Sequence, residues 1–297
     1  MTDEITNSID DAFIKHFEAD VITAYQQMGS KLRPTVRSKT GVIGASTTFQ
    51  VIGKGAAATK TRNGSVPVMC VAHTPKECSL TDYYAGEWVD KLDELKVGHD
   101  ERKAVAQMGA YALGRKTDDL IITALATTSN SVGEVSGQVL SKSIILDAFT
   151  KLNNADVPDD GDRYAIVAPA QWNQLLEIEE FSSSNYVGDK MPFVAGCEMR
   201  RWLGINWIMH TGLPASTENG THTCFIYHKN AIGHAVGFDI RTDISWHGDH
   251  AAYFVNSMMS QGAVLIDGTA AIKIVCLDEA PAAEEAAAET PAAGSGS

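Results

Sequence analysis

The chain has 297 residues, enough for one to two domains with a buried core, and its composition, 44% hydrophobic and 21% charged, is that of a soluble globular protein. A net charge of −13 argues against a dedicated nucleic-acid binder with a basic groove. Cys70, Cys78, Cys197, Cys224 and Cys276 show no CxxC spacing, the first eleven residues carry four acids and no apolar stretch of a signal peptide, and no run of about 18 apolar residues would span a membrane.

Residues Met1 to Gly44 read as an extended arm with one helical piece. Ile14, Phe17, Val21 and Ala24 recur at three- and four-residue spacing, Gly29 ends the pattern, and Pro34 favours extended backbone before it. The arm is locally basic: Lys31, Arg33, Arg37 and Lys39 occur with no acid among them. A long hairpin follows, with strands expected at Thr47–Ile52 and Val66–Ala72. Its tip, Gly53 to Ser65, is small and basic (Lys54, Lys60, Arg62) and holds an Asn63–Gly64 turn signal. Leu80 to Val89 reads as a further strand. From Asp100 to Leu125 the spacing predicts a helix of roughly 39 Å. Ala106, Gly109, Ala110, Leu113, Leu120, Ile121 and Ala124 fall on its apolar stripe, with Thr117 the one polar member.

An α/β region comes next. Ile145, Ala148, Phe149 and Leu152 mark a helix stopped by Asn153–Asn154, Val157–Gly161 is a turn, and Tyr164–Ala168 is a short buried strand. Trp172, Leu175 and Leu176 mark a helix after Pro169, and Leu203, Ile205, Trp207 and Met209 alternate as a half-buried strand. The end is β again: His250–Ile266 is a long strand broken by Gly262, and Ile272, Ile274 and Cys276 alternate in a last one. From Glu279 onward only Ala, Glu, Pro, Gly and Ser occur, with one Thr, which predicts a disordered tail whose GSGS ending is either native or a cloning remnant.

The search for catalytic chemistry yields little. His247-Gly248-Asp249-His250, near Asp243, offers two imidazoles and a carboxylate to zinc or iron, but it is no helical i, i+4 pair and no HExxH, so a polar loop is the simpler reading. Gly53-Lys54-Gly55 lacks the remainder of a phosphate-binding loop. Cys224 shares a strand face with His222, yet no third group that would orient the histidine is identifiable, and His228 lies roughly 20 Å further along the strand than His222. No GxSxG elbow occurs. Asp118–Asp119 and Asp159–Asp160 read as a solvated helix face and a turn. No catalytic residue, cofactor or metal is expected.

The order of elements, arm, long hairpin, long helix, α/β lobe and returning strands, resembles the Hong Kong 97 capsid fold. Five segments resemble the major capsid proteins of some short-tailed bacteriophages: YQQMGSKLRPTV (Tyr25 to Val36), WVDKLDELK (Trp88 to Lys96), ALGRKTDDLIITAL (Ala112 to Leu125), LNNADVPDDGDRYAIVAPAQWNQLL (Leu152 to Leu176) and FIYHKNAIGHA (Phe225 to Ala235). The resemblance implies an α+β subunit with an N-arm at 1–44, an extension loop at 45–84, a peripheral domain with a spine helix at 85–140, an axial domain at 141–240, strands returning to the peripheral domain at 241–278, and the tail at 279–297. It implies assembly into hexamers and pentamers of an icosahedral head around double-stranded DNA. A separate scaffolding protein and a portal are expected partners, with weak non-specific DNA contact and no membrane; the site is the virion shell, with assembly in the host cytoplasm. Lys54, Lys60, Arg62, Asn63 and Gly64 would form an assembly interface at the loop tip. Lys31, Arg33, Pro34 and Arg37 would do so on the arm, and Gly109, Ala110, Leu113, Leu120 and Ile121 would pack the spine helix. The alternatives are a compartment shell of the encapsulin kind and a metal-dependent enzyme using His247, Asp249 and His250.

Overall fold

The computed structural model describes residues 26–96, 100–133, 138–182, 200–216 and 220–278. The helical piece expected at Ile14 to Ala24, Cys197 and the tail from Glu279 lie outside them. The described chain opens with one turn of 3-10 helix, Arg33–Thr35, followed by β1 (Arg37–Thr40), β2 (Ser46–Ile52), β3 (His73–Ser79) and β4 (Thr81–Asp90). A short helix α1 (Lys91–Lys96) leads to the long helix α2 (Glu101–Ala126). Next come β5 (Ser131–Val132), α3 (Lys142–Asn154), β6 (Arg163–Val167), α4 (Pro169–Glu177) and α5 (Glu179–Ser182). The closing elements are β7 (Arg200–Trp202), β8 (Ile205–Met209), β9 (Ala215–Ser216), β10 (Thr221–His228), β11 (Ile232–His247), β12 (Ala252–Leu265) and β13 (Ala271–Leu277).

Strands β1, β11, β12 and β4 form one sheet in that order. A larger sheet runs β5, β13, β10, β6, β8, β7, with β9 on β10, and β2–β3 stand apart as a hairpin. The main core lies around the larger sheet, where Phe225, Ile226, Tyr227, Ile166, Trp207 and Ile274 are all buried. β6 is buried along its whole length, as a central strand covered on both faces must be. The register between β11 and β12 shifts at Val236/Phe238 and again at Phe238/Arg241, and such bulges bend a long ribbon. The ribbon's inner end, Ile232 to Val236, is buried, while its outer part is mostly exposed.

Asp100 starts α2 by accepting from the Lys103 N–H at 3.3 Å. The helix lies across the four-stranded sheet, with Val105 packed on Val89 and Val255. Its buried face is Val105, Leu113, Gly114, Thr117, Asp118, Ile121, Ile122, Ala124 and Leu125. Of the expected stripe, Leu113, Ile121 and Ala124 are buried, whereas Ala106, Gly109, Ala110 and Leu120 are half-buried. The difference arises because the helix is wedged between two partners, the sheet and the arm, so the buried face is wider than one apolar stripe. A Cβ on Gly109 would sit 2.7 Å from Ser257 Oγ and 3.1 Å from Ser257 Cβ, so this glycine sets the approach of β12. Gly109→Leu should therefore overpack by about 1–3 kcal/mol or more, read as a lower thermal midpoint and a smaller soluble fraction.

Several expectations are corrected. The extension expected before Pro34 is absent, because Pro34 occupies the first positions of the 3-10 turn, where a missing N–H costs nothing. The second hairpin strand is His73–Ser79, with Ile52 paired to His73 and Ser46 to Ser79. Val66–Ala72 forms no strand, and Val66, Val68 and Met69 are exposed: Pro67 interrupts the apolar run and removes a ladder donor. Leu203 lies outside the strand, with Gly204, in a two-residue turn of positive φ joining β7 to β8. Gly262 does not break β12; a Cβ there would fall 2.1 Å from Ser79 O, so the glycine lets the hairpin base cross the ribbon. β13 pairs with β10 and β5, within the larger sheet. Among the described residues no helix is long and apolar enough to cross a membrane.

Candidate functional site

The most elaborate polar site joins the arm, α2 and the end of β8. Asp118, read from sequence as solvated, is fully buried. Its Oδ1 accepts from Ser30 Oγ and from the Leu32 N–H at 3.0 Å. Its Oδ2 accepts from Gln27 Nε2 at 2.5 Å, the Lys31 N–H at 3.0 Å and His210 Nε2 at 3.1 Å. The Gly212 N–H donates to His210 Nδ1 at 3.0 Å, which places the ring proton on Nε2, facing the carboxylate. Burial pushes the Asp118 carboxyl up, but the His210, Ser30, Lys31 and Leu32 donors outweigh it and hold the group below the ordinary carboxylate range.

Around this hub the arm is part of the subunit's own core. Leu32, Thr35 and Val36 are buried, Thr35 Oγ1 shares a 2.5 Å hydrogen bond with Tyr227 OH, and β1 pairs in parallel with Gly233 to Val236. Gly29 and Gly114 permit the contact: a Cβ on Gly114 would lie 2.6 Å from Gly29 Cα. Arg33 clamps Asp239 of its own chain through two 2.9 Å hydrogen bonds. Lys31, Pro34 and Arg37 are exposed.

The hairpin divides into an anchored base and an open end. Phe49 and Cys78 are buried with Ala235 and Ile266, and Gly233 leaves room for the Phe49 ring. Beyond the 2.8 Å bond from the Gly53 N–H to Ala72 O, residues 53–72 form no strand or helix. Asn63 takes the left-handed conformation, φ 65°, and the Gly64 N–H closes the turn onto Thr61 O at 3.0 Å. Lys54 meets Asp156 of its own chain at 2.5 Å, with both side chains about three-quarters exposed, while Lys60 and Arg62 are exposed. The five tip residues thus lie on one loop, and Lys54 alone among them has an ion-pair partner in the described chain.

His247 and His250 flank the exposed Trp88 ring at 5.1 and 4.6 Å, and Asp249 lies 3.5 Å from His250. No group of three potential ligands converges there or elsewhere among the described residues. Cys224 is fully buried, and burial pushes its thiol far up, away from the thiolate a nucleophile needs. A third group does orient His222: Asp278 Oδ1 lies 2.5 Å from its Nδ1. Gln171 Nε2 also donates to that carboxylate at 3.1 Å, and Gln174 Nε2 to the Leu277 and Asp278 carbonyls at 2.9 and 3.0 Å. Asp278 is therefore part of the fold. Ending the chain after Asp278 should leave the thermal midpoint nearly unchanged, because the remaining tail offers only Ala and Pro as apolar residues. Removing Asp278 as well should cost about 1–3 kcal/mol by orphaning His222 and Gln171.

A family model described as phage capsid protein matches residues 9–278. The fold is similar to the capsid structure of cyanophage P-SCSP1u, at TM-score 0.72 and 15% identity, covering 92% of this chain and 96% of that one. It is also similar to the capsid of a native GTA particle, at TM-score 0.71 and 10% identity (92% and 99% covered), and to the capsid of Ralstonia phage GP4, at 0.68 and 11% (94% and 99%). Identities this low establish the fold, which is of the Hong Kong 97 type. No curated protein sequence matches the chain.

Proposed function

The chain belongs to the phage capsid protein family, and on that premise we propose that it builds an icosahedral phage head by binding its own copies through the open end of its hairpin. One observation carries the choice of contact. Residues 53–72 expose Val66, Val68 and Met69 with no core of their own, and such apolar surface signals a partner. Copies of a subunit that each lend a loop to a neighbour multiply the buried interface, and obligate contacts of about 2,000–5,000 Å² are in reach.

In this reading residues 1–44 are the N-arm, 45–84 the extension loop, 85–140 the peripheral domain with α2 as its spine, and 141–240 the axial domain that gathers into hexamers and pentamers. Within the arm, residues 26–40 anchor to their own subunit, so the straps are shorter than the sequence suggests. A scaffolding protein and a portal complete assembly in the host cytoplasm. The acidic balance keeps the inner wall's contact with packaged double-stranded DNA weak and non-specific. The subunit works by association, without cofactor or catalytic centre. Of the alternatives, the compartment shell shares the fold but finds no support in a family model that spans most of the chain, and for the enzyme no three potential ligands converge among the described residues while burial pushes the Cys224 thiol up. Negative-stain microscopy of the purified protein, with its scaffolding protein if needed, should show closed shells of uniform diameter. A small monodisperse species with stoichiometric bound metal, lost on His247→Ala, would overturn the reading.

A further inference from the structure

His234 is a fully buried titratable group on β11, paired with Ser38 of the arm strand β1 on one side and with Ala263 of β12 on the other. Its Nε2 meets Gln261 Oε1 at 3.1 Å, and the same amide oxygen accepts from Thr117 Oγ1 of α2 at 2.9 Å. An amide oxygen only accepts, so the ring proton sits on Nε2 and Nδ1 is bare. No described residue hydrogen-bonds Nδ1, and the other end of the Gln261 amide, Nε2, is a donor that cannot accept a second imidazole proton. The charged groups that bear on the ring are Arg33, Asp239 and Asp118. Both carboxylates are already engaged by the arm: Arg33 clamps Asp239, and Asp118 holds the Lys31 and Leu32 N–H groups, with His210 on its Oδ2. Lys39, next along β1, is directed to Thr47 Oγ1 at 2.7 Å. An imidazolium here would be stripped of water, would lack an acceptor for its second N–H and would lie near a guanidinium. Burial, with Arg33 acting in the same sense, therefore lowers the His234 pKa below its ordinary value, against the smaller raising effects of Gln261 and the two carboxylates.

We propose that His234 is an acid-sensitive catch that fastens residues 26–40 of the arm to their own subunit. Neutral, the ring completes the joint between β1, β12 and α2. Protonated, it fits only an undocked arm, which gives the imidazolium access to water. With the arm released, the ring takes up its proton near the ordinary histidine value of about 6.5, while the docked form resists. Docking is therefore complete above about pH 6.5 and weakens as the pH falls below it, by up to about ten-fold per pH unit, which amounts to about ten-fold between pH 7.5 and 5.5. Asp118 does not share this window, because its carboxyl is held below the ordinary carboxylate range and titrates only in stronger acid. The inference goes beyond shell formation and holds for the isolated subunit.

Amide hydrogen exchange on dissociated full-length subunits, corrected for the intrinsic pH dependence of exchange, reads the docking of the arm. In wild type, peptides covering residues 31–40 should lose about ten-fold of their protection between pH 7.5 and 5.5, while β10 and β13 keep theirs. His234→Phe keeps a ring in the joint and leaves Gln261 Oε1 its donor from Thr117, but has no site for the proton; its arm protection should change less than about two-fold over the same range. Nitrogen-15 NMR of the His234 ring in wild type needs no variant. At pH 7.5 it should show a neutral imidazole with the proton on Nε2, and on acidification the charged form should appear only together with loss of arm protection. A ring that becomes charged while the arm stays protected, wild-type protection that acid leaves unchanged, or an equal loss in His234→Phe would each overturn the proposal, the last by assigning the acid response to other groups.

Discussion

Asp118→Ala is expected to be among the most destabilising single substitutions in the chain, at about 3–5 kcal/mol, read from chemical denaturation of the subunit. The carboxylate is fully buried and serves five donors, two of them the backbone N–H groups of Lys31 and Leu32. Alanine supplies no acceptor, and the arm's polypeptide sits too close to Gly114 for a water layer to replace it. Asp118→Asn keeps one oxygen but turns an N–H₂ towards donors, so it should be intermediate. Amide exchange separates local from global effects: Lys31 and Leu32 should lose protection before β10 and β13 do. The pH dependence has a defined sign. The folded carboxyl lies below its ordinary value, so its contribution is complete above the unfolded value of about 3.9 and is lost as pH falls through the lower folded value. The stability gap between wild type and Asp118→Asn attributable to this carboxyl should be constant above about pH 5 and close below about pH 4. A gap that widens on acidification would mean that the carboxylate is not held by these donors.

Why Asp118 escaped the sequence reading is instructive. Charged residues on a long helix usually face solvent, and the pair Asp118–Asp119 reads that way for Asp119, which pairs with Lys116 at 2.5 Å. The signal was nonetheless available: Gly114, Ile121 and Ile122 stand at i−4, i+3 and i+4 of Asp118, so its side of the helix is apolar and contains a glycine. What the sequence lacked was the second wall, the arm, whose contacts lie 86 to 91 positions away. The same limit explains the hairpin. β-propensity made Val66–Ala72 a strand, but pairing partners decide, and the ladder from Ile52 leads to His73, although Pro75 and Lys76 in that strand are poor strand formers. Elements set by local periodicity, such as α2, β6 and β13, were legible within one or two residues. Their sheet neighbours were not: β13 alternates equally well in either sheet, and only its partners put it between β5 and β10.

Replacing residues 53–72 by Asn-Gly should leave the subunit folded and prevent robust assembly. The excision is clean because Ile52 and His73 are already a cross-strand pair, and a two-residue turn of the Asn-Gly kind closes such a pair with the twist the strands need. Little is lost inside the subunit. Phe49 and Cys78, which anchor the hairpin to Ala235 and Ile266, lie outside the deleted stretch, and Lys54–Asp156 is an ion pair open to water. Shortening the loop also lowers its closure entropy, so the thermal midpoint should stay within a few degrees. Between subunits the effect reverses. In the proposed contact, exposed Val66, Val68 and Met69 would supply the apolar surface and Lys60 and Arg62 the charge offered to a neighbour, and every copy in a shell would lose both at once. A milder variant, Val68→Asp with Met69→Asp, keeps the loop's length and reach and should still abolish closed shells, since burying two uncompensated carboxylates costs several kcal/mol at each contact. Circular dichroism and microscopy on the same preparations separate folding from assembly. A loop-deleted subunit that is unfolded would place residues 53–72 in the subunit's own core, and one that forms shells as stable as wild type would remove the loop from the assembly interface.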